Sequence, residues 1–339
     1  MLNRRSFLAA VPAAALAGRA VAETATRFAT RGVVLTPEDF TLADWPDRMK
    51  RAGLTTLGIH HPNSPRAVID WIATDAGARV LEDRARLGLE VEYELHAMRE
   101  LLPRDLFARE PGLFRMDERG EREPDSNCCP HSTRALDVIA ENAVVIAGKL
   151  RPTTGRYFFW GDDGLPWCLC PACRGFSPSE QALLVENHVL RALKKLDPKA
   201  TLAHLAYTNT LAPPRKVKPE PGVFLEYAPI RRSYDEPYER QTGPARADGL
   251  PMLDANLEVF PADTARVLEY WLDVSLFSHW KRPAVKLPWR PDVLSADAAS
   301  YASRGIRHVS SFAVYIDADY AHRYGEPDFI GEYGAILKR

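Results

Sequence analysis

The chain has 339 residues, 46% of them hydrophobic and 26% charged, a make-up that supports a substantial buried core and excludes an intrinsically disordered chain. Its 44 basic and 45 acidic residues leave a formal charge of -1, so no broad positive field exists to hold a nucleic-acid backbone. No apolar run reaches the ~20 residues that a membrane span needs, so stable insertion is not expected.

The N-terminus carries Arg4-Arg5 followed by Ser6, Phe7 and Leu8, a small apolar run to Gly18, and the small-x-small triplet Ala20-Val21-Ala22. That layout predicts an export signal over residues 1–22, and Arg-Arg-Ser-Phe-Leu resembles the twin-arginine type, with a general secretory signal as the alternative. The mature chain, 23–339, is then expected outside the bacterial cytoplasm, in the periplasm or secreted.

From there strand-like apolar runs alternate with amphipathic helical runs, eight pairs in all, which argues for parallel units. Gly32–Leu35 is read as the first strand and Leu54–Ile59 as the second. Leu89–Leu95 is the third, and a long loop with Pro111, Pro124 and Pro130 separates it from a helix predicted over Thr133–Lys149. Tyr157–Trp160 is the fourth. After a cysteine-rich loop, Ser177-Pro178-Ser179-Glu180 supplies a helix start, and Leu183, Leu184, Val189, Leu190, Leu193 and Leu196 follow with helical spacing. Thr201–Tyr207 and Val223–Tyr227 are the fifth and sixth strands. A helix is expected over Ala262–Phe277, a short seventh strand over Pro283–Leu287, a helix over Ser295–Arg304, and the last strand over His308–Ile316. The count predicts an α/β fold, a single-domain (β/α)8 TIM barrel with a long loop after strand three and a Cys-rich loop after strand four.

Such barrels carry their chemistry at the C-terminal ends of the strands. Those ends hold Glu38 and Asp39, His60 and His61, Glu94 and His96, Asp162 and Asp163, Tyr207 and Asn209, Glu226 and Tyr227, Trp289, and Asp317. Polar and aromatic groups thus converge on one mouth. Trp160, Trp167 and Trp289 are candidate stacking surfaces, whereas Trp271 and Trp280 are read as core. No His-Glu-x-x-His spacing occurs, so His60, His61 and His96 are expected to form hydrogen bonds rather than bind metal.

Paired carboxylates beside aromatic faces suit glycosidic bond cleavage, in which one acid protonates the leaving oxygen while charge at the anomeric carbon is stabilised or captured. The expected seventh strand, Pro-Ala-Val-Lys-Leu-Pro-Trp, holds no second acid. A substrate-assisted route removes that difficulty, with the sugar's own 2-acetamido oxygen as nucleophile. Capping of the loop is the structural alternative for Asp162 and Asp163.

Trp160-Gly-Asp-Asp-Gly followed by Trp167-Cys-x-Cys-x2-Cys173, with Glu94-Leu-His96 before and Phe224-Leu-Glu-Tyr227 after, resembles the domain of unknown function 4838 group, related to glycoside hydrolase family 163 of endo-β-N-acetylglucosaminidases. The resemblance implies a hexosaminidase-like hydrolase acting on β-linked N-acetylhexosamine glycans with retention and no catalytic cofactor. By likeness to the family 20 and family 84 hexosaminidases it implies that Asp162 orients the acetamide and Asp163 is the general acid and base. Tyr227 would then donate to the acetamide oxygen, and Glu226 would bind sugar hydroxyls or serve as a second acid. The rival functions are a noncatalytic carbohydrate-binding barrel and a zinc-dependent hydrolase.

Cys168, Cys170 and Cys173 offer three soft ligands, and Cys128, Cys129 or His131 can add the fourth of a tetrahedral structural zinc site. Disulfides, which export permits, are the competing expectation.

Overall fold

In the computed structural model, which describes residues 27–62 and 64–339, the expected barrel is present. The export signal expected at residues 1–22 lies outside the described residues. Eight parallel strands form a closed sheet in sequential order: β1 (Thr30–Leu35), β2 (Thr56–His61), β3 (Glu90–His96), β4 (Arg156–Trp160), β5 (Thr201–Ala206), β6 (Val223–Tyr227), β7 (Arg266–Glu269) and β8 (His308–Phe312), with β8 back against β1. Among the described residues no helix is long and apolar enough to cross a membrane.

Strand alternation sorts the side chains into two cores. Val34, Phe158, Trp160, Ala203, Phe224, Leu268 and Phe312 pack together inside the barrel. Val33, Leu57, Leu95, Phe159, Leu225 and Val267 face outward and join the helices in the larger core. This is the period-two pattern of a sheet buried on both faces. The helix Pro178–Leu196 illustrates how a local signal sets an element: Ser177 and Glu180 form the expected reciprocal capping box at its start.

Beneath the mouth, the barrel interior is charged. Arg266 is buried and binds Glu92, Glu94 at 2.5 Å and, through Nε, Glu226 at 3.5 Å, while Arg156 reaches Glu92 at 2.7 Å. Room for the Glu94 carboxylate comes from Gly58 on the neighbouring strand. A Cβ there would lie 2.5 Å from Glu94 Oε1 and 2.9 Å from Val34 Cγ2.

Three expected elements need correction. Pro283–Leu287 is not a strand; β7 lies at Arg266–Glu269, within the run read as a helix over 262–277. Arg-Val-Leu-Glu is short and buried, so its apolar residues do not distinguish a strand from a helix turn, and pairing with β6 and β8 decides the matter. The last strand also ends at Phe312 rather than Ile316.

The loop after β3 is long, as expected. It carries the short helix Met98–Leu101 and a hairpin of Arg115–Met116 against Arg122–Glu123, and it packs against the cysteine-rich loop after β4.

Candidate active site

At the C-terminal ends of the strands lies a cavity of about 450 Å³. That volume is within the range of small-ligand sites. Trp160, Tyr207, Tyr270, Trp280, Phe312 and Tyr315 give it aromatic walls, and Leu205, Ala228, Ile230, Leu268 and Val314 add apolar surface. The polar lining is sparse: Thr36, Glu38, His60, His61, His96, Asp163, Asp273, Ser275 and Arg282.

Adjacent residues at the end of β4 point in different directions. Asp163 faces the cavity with its side chain 60% exposed, and His96 Nε2 stands 4.0 Å from its Oδ1. His96 Nδ1 is 2.7 Å from the Gly161 carbonyl, which makes that nitrogen the donor. Tyr207 stands beside Asp163, and burial together with that carboxylate pushes the phenol up. Asp162 instead accepts from Arg104 Nη2 and from the Asn127 amide, both at 2.7 Å, and its side chain is 7% exposed. Its own amide donates back to Asn127 Oδ1 at 2.9 Å. The role in orienting an acetamide that resemblance gave Asp162 therefore has no support in its contacts, because this carboxylate is committed to a loop-to-loop brace.

Of the three carboxylates that line the cavity, Glu38 and Asp163 are exposed and the buried one is Asp273, four residues beyond β7. It caps the short helix Val274–Phe277: Ser275 Oγ donates to Oδ1 at 2.6 Å, with the Ser275 and Leu276 amides at 3.1 and 3.3 Å. Burial pushes its carboxyl up to about 6, against the pull of those hydrogen bonds. A carboxyl of this kind can hold its proton close to neutral pH. By contrast Glu269, at the end of β7, faces outward and is bound by Arg232 at 3.0 Å.

The other expected site residues divide by depth in the barrel as well as by strand face. His60 and His61 line the cavity. Burial and the neighbouring His96 push His60 down to about 3, so its ring is neutral, with Nδ1 at 2.6 Å from the Glu94 carbonyl. Glu94 and Glu226 do not line the cavity but lie beneath it, in the Arg266 network. Trp160 closes this floor, since its indole donates to Glu226 Oε2 at 2.8 Å. Burial pushes both carboxyls up.

Tyr227, expected to donate to a substrate, faces away from the barrel interior, its hydroxyl 2.7 and 2.9 Å from the Asp248 and Gly249 carbonyls. Trp289 is likewise remote: its indole donates to Glu332 at 2.8 Å and its ring lies beside Phe329. Trp167 and Asn209 line a side cleft of about 20 Å³ with Asp162. Trp271 is core, as expected, but Trp280 is 60% exposed and lines the cavity.

Sequence reasoning missed Tyr270, Asp273, Ser275, Arg282 and Tyr315. The first three follow the misplaced strand directly; a signal was available in Asp273-Val-Ser, an acidic cap directly after an apolar run.

Of the three candidates for the fourth sulfur or nitrogen ligand, Cys128, Cys129 and His131, the fold groups Cys129 with the other three cysteines. Cys129 joins Cys168, Cys170 and Cys173, with all four sulfur atoms within 4.8 Å of one another, whereas Cys128 is buried in the main apolar core. None of the four lines the cavity, and four thiolates would fill a tetrahedral shell, so the arrangement gives no support to a zinc-dependent hydrolase.

The sequence profile described as "Domain of unknown function (DUF4838)" matches residues 35–250, more than half of the chain. The chain belongs to the DUF4838 family. Among solved structures, this DUF4838 barrel is similar to a catalytic mutant of a GH42 β-galactosidase from G. stearothermophilus, at 12% identity and TM-score 0.55, with 92% of this chain covering 57% of that one. It is also similar to a β-galactosidase from the psychrophilic Marinomonas ef1, at 13% identity and TM-score 0.54, covering 91% and 59% of the two chains. The PgaB (BpsB) glycoside hydrolase domain from Bordetella bronchiseptica matches at 14% identity and TM-score 0.52, with 91% of this chain covering 99% of that domain. The DUF4838 chain thus spans less than two thirds of the length of the two β-galactosidases. At these identities the likeness shows the shared barrel fold. No curated protein matches the sequence.

Proposed function

We propose that this chain is a glycoside hydrolase that uses Asp163 and Asp273 as its two carboxylates and acts on β-linked N-acetylhexosamine glycans. The observation that carries the reading is that both acids line one aromatic-walled cavity, in the segments that follow β4 and β7. Two strands, β5 and β6, separate β4 from β7 in the sheet, so the acids approach from different parts of the barrel wall.

Hydrolysis needs an acid that gives a proton to the leaving oxygen and a carboxylate that activates water or attacks the anomeric carbon. Asp273, with its carboxyl pushed up to about 6, suits the first task, and Asp163, exposed to the cavity beside Tyr207, suits the second. The aromatic walls offer faces for sugar rings, and the apolar patch of Leu205, Ala228 and Ile230 offers room for an acetamido methyl. The N-terminal Arg-Arg-Ser-Phe-Leu supports a place outside the cytoplasm, where glycans are met.

The test is incubation with a panel of β-linked N-acetylhexosaminides and plain hexosides, followed by product analysis. Release of N-acetylhexosamine-terminated products is the expected result. Binding without turnover across the panel would favour a noncatalytic carbohydrate-binding barrel, and faster cleavage of plain hexosides would remove the acetamido preference.

A further inference from the structure

The four clustered thiols lie apart from the cavity, and the proposed hydrolysis does not use them. Cys129 Sγ is 3.8 Å from Cys170 Sγ and 3.7 Å from Cys173 Sγ, and none of these cysteines forms a disulfide. A tetrahedral zinc with metal–sulfur bonds of about 2.3 Å has sulfur–sulfur edges of about 3.8 Å. These two distances match the edge of a coordination shell and are too wide for a bond between sulfurs, and all four sulfur atoms lie within 4.8 Å of one another. All four side chains are buried.

Donors surround the sulfurs. The Met116 amide points at Cys168 Sγ at 3.3 Å, Arg122 Nη1 stands 3.7 Å from the same atom, and His131 Nδ1 is 3.3 Å from Cys173 Sγ. Such donors support thiolates whose charge exceeds that of the ion they hold.

We infer that Cys129, Cys168, Cys170 and Cys173 form a structural zinc site that fastens the loop after β3 to the loop after β4. Cys129 comes from the first loop and the other three from the second, which also carries Asp163. The ion closes a four-cysteine shell with no open position, so its work is to hold the two mouth loops together. The inference stands on the sulfur geometry and is independent of the hydrolase reading.

The test uses the full chain, purified without metal-affinity resin, with metals measured by mass spectrometry. About one zinc per chain is expected, and titration with a mercurial should release it into a chromogenic zinc indicator as about four thiols react. Cys129→Ser should lower the zinc to below about a tenth of that, and Cys128→Ser should leave it unchanged. If Cys129→Ser does not fold, the mercurial release on the unaltered chain decides. A metal-free chain, iron in place of zinc, or full zinc in a folded Cys129→Ser protein would overturn the inference.

Discussion

Asp162 and Asp163 are neighbours in sequence with the same side chain, and the end of a strand turns one toward the cavity and the other toward a loop. Removing the Asp162 carboxylate takes the partner from Arg104, whose side chain is 17% exposed, so the guanidinium loses its ion pair in a largely buried place. Asp162→Ala should therefore lower stability by about 3 kcal/mol, read from the urea midpoint. An unchanged midpoint in that variant would contradict the bracing role. His60, His96, Trp160 and Tyr207 were legible as polar or aromatic groups at strand ends, and alternation turns each of them into the barrel. The same rule named Tyr227, but a place at a strand end does not fix which way a side chain faces, and there a single step moves it from the interior to the helix layer.

At the scale of elements, four or five residues can be too few to carry a period. β7 has only Arg266, Val267, Leu268 and Glu269, and the apolar run continues into Tyr270, Trp271 and Leu272, so the sequence fits a helix as well as it fits a strand. That one misreading removed Tyr270, Asp273 and Ser275 from the expected site, and it left the seventh strand without an acid. The cysteine loop shows the same limit: spacing brought Cys168, Cys170 and Cys173 together, but the choice between Cys128 and Cys129 depends on a fold of the preceding loop that no local pattern encodes. Close approach of β2 to β3 is testable. Gly58→Ala places a methyl against Glu94 Oε1 and Val34, with both neighbours buried, and should cost about 1–3 kcal/mol by urea unfolding. A variant as stable as the parent would show that the charged floor shifts to accommodate it.

For the whole molecule, the eight-fold alternation of strands and helices was legible because each repeat had to bury one face against the sheet, and repetition compensates for an error in any one unit. What the repeat could not reveal is the charged interior, where Arg266 on β7 gathers Glu92 and Glu94 from β3 and Glu226 from β6. These contacts join residues far apart in sequence, and no local pattern announces them. They leave the Glu94 and Glu226 carboxylates below the cavity, so the proposed chemistry falls to Asp163 and Asp273.

The most direct test of that assignment is the pH dependence of kcat/KM for the parent chain, Asp163→Asn and Asp273→Asn on a β-N-acetylhexosaminide, with matched thermal melts to establish folding. Asp273 is the proton donor in this account and its carboxyl sits at about 6, so the reactive form is protonated at low pH and is lost as pH rises through that value. The parent should lose about tenfold in kcat/KM per pH unit above about 6, and each folded variant should fall by about 100-fold or more at the optimum. Full activity in either folded variant, or a parent rate that keeps rising through neutral pH, would contradict the account.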